Sequence, residues 1–359
     1  MDSKQKYKVL GLMSGTSLDG VDVAACVFQN NDGRWQFRIE KAITVPYSSA
    51  WTKKLSQAHH LPANQLLQVH ADYGAFLGDL CKKFINLYGI KHVNFIASHG
   101  HTIFHQPEKG FTFQLGDGHA LHATSGKPVV SDFRSLDVAL GGQGAPLVPL
   151  GDHFLFTEYD VCLNLGGIAN LSQRVKGKRV AFDICFANMG LNYLASKAGK
   201  PFDSGGSLAS DGSLNKVMLS KLSAVYAKIE KRRPSLGREF FEKKIVPILD
   251  SDNIPLNDRL NTFTESITIH IASALIHTKK RASVLCTGGG AFNSYLIYRL
   301  MEQCGDQVDL IIPDHDIVKF KEALVFAFLG VKRVRNEINC LKSVTHASRD
   351  SSSGVLVGF

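Results

Sequence analysis

One feature limits the fold of this chain more than any other: residues 7–28 read as a strand, a polar turn with glycines, and a second strand. The run at residues 9–13 is mostly apolar, and apolar residues alternate along residues 21–27, so the pattern predicts a β-hairpin. Walker loops and dinucleotide-binding loops place their glycines between a strand and a helix. Since no helix follows here, both kinds of loop are excluded.

The tip of this hairpin has the composition of an anion-binding turn. Its glycines let the backbone approach an anion closely, and its amide and hydroxyl groups donate hydrogen bonds. Asp19 would suit a hydrated magnesium ion. An ordinary polar turn uses the same residue types, so the segment alone leaves both interpretations open. The tip residues are Ser14, Gly15, Thr16, Ser17, Asp19 and Gly20.

Length and composition indicate a globular protein with two domains. The 359 residues exceed the usual size of one domain, so two domains with a cleft between them are expected. No uncharged apolar run is long enough to cross a membrane. The first residues show no signal peptide, which predicts a cytoplasmic location. The seven cysteines are scattered without metal-ligand spacing, so we expect small buried side chains.

The net charge of +9 raises the question of nucleic acid. The dense basic run is residues 228–233, with smaller clusters at 243–244 and 279–281. A solvated helix face explains such a run better than a nucleic-acid site. A positive field would also favour an anionic small substrate. We therefore expect no nucleic-acid partner.

Strands and helices alternate along the first part of the chain. The patterns predict a third strand at residues 37–45, a long helix at 63–88, and an apolar strand ending at 98–101. A further strand meets a glycine turn at 116–118, where a helix begins. The glycine-rich stretch at 141–146 fits no regular element, so we expect the crossing between domains at residues 131–149.

The second part of the chain repeats the pattern of the first. Residues 162–172 again read strand, glycine turn, strand, and residues 180–185 form an apolar strand that carries Asp183. Helices are predicted at 188–198, 214–230 and 262–277. The strand at 283–287 then runs into three glycines and a helix at 294–303, a geometry in which a nucleoside could lie at the carboxyl end of the sheet. The last six residues are expected to dock on the protein.

Two glycine hairpins and a later triple-glycine turn correspond to the phosphate-binding and nucleoside-binding elements of the actin, hexokinase and Hsp70 architecture. Beyond this, the chain resembles the anhydro-N-acetylmuramic acid kinase family over nearly its whole length. The segments that carry the resemblance are, in order, LMSGTSLDGVDVA, ASHGHTIFHQP, QLGDG, DFRSLDVALGGQGAPLVP, LNLGGIANLS, FDICFANMGLNYLA, AGKPFD, CTGGGAFN, EALVFAFL and VTHAS.

The resemblance implies an α/β, two-domain actin-like ATPase (ribonuclease H-like) fold with an interdomain cleft. We expect residues 1–132 plus 342–359 in the first domain and 133–341 in the second. The family is cytosolic. It cleaves the 1,6-anhydro ring of anhydro-N-acetylmuramate with water and phosphorylates the sugar O6 from ATP with Mg²⁺, in cell-wall recycling. The resemblance also implies a homodimer.

Site residues follow from the matching motifs. Asp183 matches the catalytic base, which must activate water at the anomeric carbon; a helix N-cap or an ion-paired acid is the alternative. Asp19 matches the metal-binding position. The nucleotide-binding positions are Gly15, Thr16, Ser17, Leu18, Asp19, Gly20, Val21, Asp22, Gly166, Gly167, Gly288, Gly289, Gly290 and Asn293. The substrate-binding positions are His99, Gly100, Arg134, Gln143, Asn170 and Asn188.

Two groups of polar residues leave more than one interpretation. Arg134 suits the lactyl carboxylate of muramic acid, and Asp137 falls in the same interdomain region, but an arginine can also be merely solvated. A cluster of histidines invites a zinc site, whereas the family has glutamine at His101, so a histidine near substrate or in the core is the simpler account. The cluster comprises His99, His101, His105, His119 and His122.

The chain departs from the family pattern next to the expected base. The family typically reads aspartate, threonine, glycine, proline, glycine, asparagine, whereas Asp183 is followed by Ile184, Cys185, Phe186, Ala187 and Asn188. Asn192 stands at an expected acid and His346 at an expected glycine. The added bulk could change the substrate or weaken catalysis. The alternatives are therefore a kinase of a different sugar and a nucleotide-dependent binding protein without transfer activity.

Overall fold

The computed structural model describes residues 6–15, 18–233, 235–276 and 281–359. The chain divides into two compact units. The first unit contains residues 1–156 and 320–359, and the second contains residues 157–319. The expected borders, at 132/133 and 341/342, both fall inside the first unit.

Twelve strands lie within the described residues. They are β1 Lys6–Ser14, β2 Gly20–Asn31, β3 Arg34–Pro46, β4 Phe95–Gln106, β5 Phe111–Leu115, β6 Val129–Ser131, β7 Val161–Leu165, β8 Ile168–Val175, β9 Lys178–Phe186, β10 Ala282–Thr287, β11 Val308–Ile311 and β12 Val355–Val357. The predicted β-hairpin is β1 and β2, paired antiparallel. The docked tail is also confirmed, because β12 pairs with β6.

Helices separate the strands. They are α1 Ser49–Gln57, α2 Ala63–Leu87, α3 Gly118–Ser125, α4 Ser135–Ala139, α5 Val148–Leu155, α6 Asn188–Ser196, α7 Ser207–Ser210, α8 Lys216–Arg232, α9 Arg238–Phe240, α10 Val246–Leu249, α11 Leu256–Leu275, α12 Ser294–Cys304, α13 His315–Val334 and α14 Lys342–Thr345. A π-helical turn, Phe241–Ile245, joins α9 to α10. Within the ranges described, no helix is both long and apolar enough to cross a membrane.

Both units contain a mixed sheet with the same strand order. In the first unit the order is β3-β2-β1-β4-β6, with β12 at the edge and β5 paired to β4; in the second it is β9-β8-β7-β10-β11. Each sheet starts with two antiparallel hairpin pairings and continues with parallel pairings. This is the ribonuclease H-like order of actin-like ATPases, and the α/β fold class is confirmed.

The first unit extends further along the chain than predicted because α5 and the second part of α13 pack on its sheet. The Asp152 carboxylate pairs with the Lys321 ammonium at 2.7 Å. The Phe156 ring lies 5.2 Å from the Phe37 ring of β3. The stretch 131–149, where we expected the crossing, thus lies inside the first unit, and its glycine-rich residues 141–146 form a loop there.

Each unit has its own core. In the first, Tyr73, Leu77 and Phe84 of α2 pack in the cluster that includes strand residues of β1 and β4. In the second, the buried face of α11 packs with β7, β9 and β10. The helical spacing thus predicts both long helices correctly, although α11 begins at Leu256 rather than residue 262. All seven cysteines are buried and free, as expected.

Candidate active site

The β1–β2 tip is described here at residues 14–15 and 18–20. Thr16 and Ser17 lie outside the described residues. Leu18 has a φ of 62°, and Asp19 is exposed. A Cβ on Gly20 would lie 2.3 Å from the Val45 carbonyl oxygen, so only glycine fits there. Gly15 is half-buried, and the turn therefore offers one exposed carboxylate beside glycine backbone.

A buried polar network supports this tip from below. The Ser14 hydroxyl lies 2.6 Å from the Tyr47 hydroxyl and 2.8 Å from His101 Nδ1. Tyr47 and Tyr73 share a further hydrogen bond of 2.5 Å. Burial lowers the pKa of His101 to about 4, so its ring is neutral near pH 7. The two tyrosines were missed by sequence analysis, since nothing in their local pattern connects them to the tip.

The remaining predicted residues of this hairpin have structural contacts. Val21 is fully buried in the first core, so its side chain cannot touch a nucleotide. Asp22 accepts a hydrogen bond of 2.6 Å from the Thr44 hydroxyl of β3. The hairpin tip, rather than the start of β2, is therefore the part open to a ligand.

Arg134 is held in place by two neighbours in the first unit. Its Nε donates to His99 Nε2 at 2.9 Å, and one terminal nitrogen donates to the Gly144 carbonyl at 2.6 Å. His99 Nδ1 lies 2.9 Å from the Gly100 carbonyl, which fixes the tautomer protonated at Nδ1. Burial lowers the pKa of Arg134 to about 10, so the guanidinium remains a cation. His99 thus orients Arg134 instead of offering a free nitrogen.

Asp137 organises the glycine-rich loop from inside the protein. One carboxylate oxygen accepts from the Gly144 amide at 2.8 Å, and the other accepts from the Thr345 hydroxyl at 2.7 Å and the Cys340 thiol at 3.0 Å. Asp137 is 1% exposed, so it is a structural carboxylate. Gln143, by contrast, is exposed, and its backbone N–H donates to the Thr345 carbonyl.

Three of the family-like segments line one cavity of about 200 Å³ in the first unit. His99 and Gly100 lie in its wall, with Asp117 and Asp132. The Ser98 hydroxyl is buried there without a hydrogen-bond partner in the described part of the chain. β4 continues past these residues instead of ending at them, because Gly100, at φ 75°, allows an irregular pairing.

Glu322 of α13 is an acidic residue of the first unit that sequence analysis did not single out. Desolvation raises the pKa of its carboxyl although the side chain keeps an exposed face; Asp22 raises it further, and Arg134 lowers it. The segment EALVFAFL contained it, but its helical pattern indicated only a core helix. Tertiary structure brings Glu322 into the field of Arg134.

In the second unit, the β7–β8 tip, the start of α6 and the end of β10 meet. The Asn188 side-chain amide donates to the Leu165 carbonyl at 2.9 Å, and the Asn188 backbone N–H donates to the Gly166 carbonyl. A Cβ on Gly288 would lie 2.5 Å from the side-chain oxygen of Asn164, and one on Gly290 would lie 2.8 Å from Leu165. The predicted glycines at 166–167 and 288–290 thus come together around Asn188.

Asn293 has a different place from the one expected. Its side chain caps α12 by accepting from the Leu296 amide at 3.0 Å. Gly205 and Gly206 pack beside it, with φ values of 63° and 76°, and a Cβ on Gly206 would lie 2.4 Å from the Asn293 oxygen. This glycine pair, which follows the AGKPFD segment, was missed; its adjacent glycines were the available signal.

Asp183 lies on β9 opposite Asn170 of β8. Its carboxylate accepts a hydrogen bond of 2.8 Å from the Leu236 amide. Burial raises the pKa of the Asp183 carboxyl, and the bond from Leu236 opposes that effect. Among the described residues, Asp183 neither caps a helix nor forms an ion pair. A partly buried carboxylate of this kind can accept a proton from water.

Comparison with known proteins identifies the family. A sequence model described as "Anhydro-N-acetylmuramic acid kinase" matches residues 7–358. The chain belongs to the anhydro-N-acetylmuramic acid kinase family. A kinase of that name from Sulfurimonas denitrificans is 30% identical over 97% of this chain and 98% of its own length. One from Gloeobacter violaceus is 33% identical over 95% and 96%.

The family is one of phosphotransferases that use ATP. Among solved structures, an activator of 2-hydroxyisocaproyl-CoA dehydratase from Clostridium difficile with bound ADPNP matches 91% of this chain and 97% of its own, at 16% identity and a TM-score of 0.44. The ribonuclease H-like order of both sheets rests on the strand pairings themselves.

Membership of the anhydro-N-acetylmuramic acid kinase family gives physical meaning to two of the three departures from its pattern. Cys185, Phe186 and Ala187 are fully buried, so the bulk that replaces the expected glycine, proline and glycine points into the core of the second unit. His346 has a φ of 64° at the end of α14. Glycine adopts this left-handed conformation without strain, which explains why glycine was expected there.

Proposed function

We propose that the protein is an ATP-dependent kinase that opens 1,6-anhydro-N-acetylmuramic acid with water and phosphorylates O6, giving N-acetylmuramate 6-phosphate. The observation that carries this proposal is Asp183, a partly buried carboxylate with a raised pKa and one backbone donor, within a chain matched by the kinase family over residues 7–358. The reaction belongs to the recycling of cell-wall peptidoglycan.

Asp183 acts as the general base. A water molecule attacks the anomeric carbon and gives a proton to the carboxylate while the bond from that carbon to O6 breaks. O6 forms a bond to the γ-phosphorus as the bond to ADP breaks, so the two reactions are coupled without a free alkoxide. Burial raises the pKa of the Asp183 carboxyl, which makes its ionised form a stronger base than an exposed aspartate.

ATP would bind to backbone at the two glycine hairpins and at the Gly288–Gly290 turn. The β1–β2 tip supplies Gly15 to Gly20, and the second unit supplies Gly166, Gly167 and the amides around Asn188. Oxygen donors suit Mg²⁺, and the exposed Asp19 is the carboxylate at the tip that fits it. Magnesium would offset charge on the transferred phosphoryl group.

Arg134 would bind the lactyl carboxylate of the sugar. It is a cation with two of its nitrogens already oriented by His99 and Gly144, and a guanidinium has five N–H donors. A preoriented fork loses less entropy when it binds a carboxylate. The exposed side chain of Gln143 on the same loop, together with Asn170 opposite Asp183, would contact polar groups of the sugar.

A kinase of a different sugar is the second candidate, favoured by the apolar segment after Asp183. Ile184 interrupts the regular pairing of β9 with β8, and the next three residues are buried. In that case Asp183 would deprotonate a sugar hydroxyl instead of water. For either kinase we also propose a cytoplasmic location and a homodimer. Light scattering of the purified protein tests the dimer.

The deciding experiment measures ADP release with ATP, magnesium and 1,6-anhydro-N-acetylmuramic acid in ¹⁸O-labelled water. We expect sugar-dependent turnover and a product that carries one solvent oxygen at C1. Asp183→Asn should abolish turnover while ATP binding persists. Turnover with no solvent oxygen, or only with another sugar, would support the second candidate; nucleotide binding without any transfer would support a binding protein.

A further inference from the structure

The segment after α8 reaches back to Asp183 and is anchored in the core of the second unit. Leu236 donates its backbone N–H to the Asp183 carboxylate at 2.8 Å. The Leu236 side chain is 7% exposed and belongs to the same hydrophobic cluster as Leu249 and Ile245. The amide that faces Asp183 is therefore fixed by packing of its own side chain.

Aromatic rings join this segment to the strand that carries Asp183. The Phe186 ring lies 5.2 Å from the Phe241 ring and stacks on the Phe240 ring at 6.1 Å. Phe241 also makes an edge contact with Tyr193 of α6. Phe186 is three residues after Asp183 on β9, so this aromatic cluster of Phe186, Phe240 and Phe241 couples the position of the Leu236 segment to that of the acid.

The strand itself is irregular beside the acid. Asp183 pairs with Asn170, but the next pair along joins Cys185 to Ala169, which leaves Ile184 as an extra residue. A bulge of this kind bends the strand and redirects a side chain, and bulges are common next to active sites. The direction of the Asp183 side chain therefore depends on the bulge and on the Leu236 N–H that donates to its carboxylate.

Three further titratable groups of the second unit, all among the described residues, are uncharged. Burial raises the pKa of the Cys185 thiol and, further along, that of the Tyr226 hydroxyl, while burial lowers the pKa of His270. All three are neutral near pH 7. Arg233 is a cation, but it lies over the Phe182 ring at 3.8 Å. Within the described residues, the Leu236 backbone N–H is the group that donates a hydrogen bond to the Asp183 carboxylate.

We propose that Leu236 is a positioning residue: its backbone N–H, held by the aromatic cluster, orients one oxygen of Asp183 and stabilises its ionised form, leaving the other oxygen for water. This proposal rests on the proposed function of Asp183 as base. It also assigns a purpose to Phe186, which stands where the family was expected to have a proline: it anchors the segment that holds the base.

The test compares Leu236→Pro, which removes the N–H, with Leu236→Ala, which keeps it while losing similar packing. The measurement is the pH dependence of kcat/KM. Loss of a donor to the charged form raises the pKa of a carboxyl, so we expect the acid limb of Leu236→Pro to move up by about one pH unit. The midpoint of Leu236→Ala should stay at the wild-type value even if its rate falls.

Two controls separate the positioning role from a folding defect and from a loss of activity. Phe240→Ala loosens the aromatic cluster from a half-buried position, and we expect a smaller shift in the same direction, so the proposal stays testable if Leu236→Pro does not fold. Carbon-13 NMR of labelled aspartate, with the Asp183 signal assigned by Asp183→Asn, reports the same shift without turnover. If the wild type transfers no phosphate, the proposed function fails while this titration still decides the positioning role.

Two results would overturn the proposal. One is an Asp183 titration unchanged in both Leu236→Pro and Phe240→Ala, in proteins whose circular dichroism matches the wild type. The other is an equal shift in Leu236→Pro and Leu236→Ala, since packing alone would then account for the effect.

Discussion

Asp137 in the first unit and Asp183 in the second are both carboxylates shielded from bulk water, yet their surroundings differ. Asp137 uses both oxygens, accepting from Gly144, Thr345 and Cys340. Among the described residues, Asp183 accepts one hydrogen bond, from Leu236, and burial raises the pKa of its carboxyl. A fully satisfied carboxylate stabilises a loop, whereas a partly satisfied one can take up a proton. The number of donors therefore distinguishes the structural acid Asp137 from the candidate base Asp183.

The largest expected effect comes from Asp183→Asn. Removing a general base lowers turnover by roughly 10²–10⁴-fold, while the lost hydrogen bond to Leu236 is replaced by one to the amide oxygen. We therefore expect the urea midpoint of unfolding to stay close to the wild-type value. Steady-state ADP release and urea unfolding measure the two quantities on one preparation. A large loss of stability with retained turnover would make Asp183 a structural acid like Asp137.

A pH titration of stability should reveal the buried histidine beneath the β1–β2 tip. Because the pKa of His101 falls from 6.5 unfolded to about 4 folded, its contribution is complete above pH 6.5 and is lost as the pH falls toward 4. The loss is about 3 kcal/mol. His101→Gln should flatten part of this slope, since His99 titrates in the same direction. Unfolding in urea at several pH values checks this; identical slopes would contradict it.

Asp137→Asn should destabilise the first unit. One of the buried donors would then face an amide nitrogen, and a buried unsatisfied group costs roughly 1–3 kcal/mol. Asp19→Asn is the matched control, because Asp19 is exposed at the hairpin tip and a surface change alters stability by about 0.5 kcal/mol or less. Urea unfolding compares the pair. Equal midpoints would show that the carboxylate network does not hold the glycine-rich loop.

The smallest effect is expected at His346. Its φ of 64° is left-handed, so His346→Gly should relieve strain and stabilise the protein by roughly 0.5–1 kcal/mol. His346→Ala keeps the strain and should give no gain. Thermal unfolding followed by circular dichroism measures both. Stabilisation by alanine but not glycine would show that the side chain, and not the backbone, is the cause.

Local patterns predicted most elements of the fold, because alternation and helical spacing are visible within a few residues. They predicted the two hairpins, α2, α11 and the docked tail. They failed where a distant partner decides the outcome: residues 141–146, within the stretch 131–149 where we expected the crossing, form a loop held by Asp137, and β4 continues beyond Gly100, where it pairs with β5. The site was predicted unevenly for the same reason: Asp183 lies in a motif that indicates a base, Tyr47 lies in none, and Glu322 lies in a segment whose helical pattern indicated only a core helix.

The sequence by itself determined the fold class and the family, and it predicted Asp183 as the base, because these depend on residue types in a fixed order. Only the tertiary structure decided how each acid is used. The donors to Asp137 come from residues up to 208 positions away, and the donor to Asp183 lies 53 positions away. Hydrogen bonding and desolvation depend on distance in space, and chain order does not specify it.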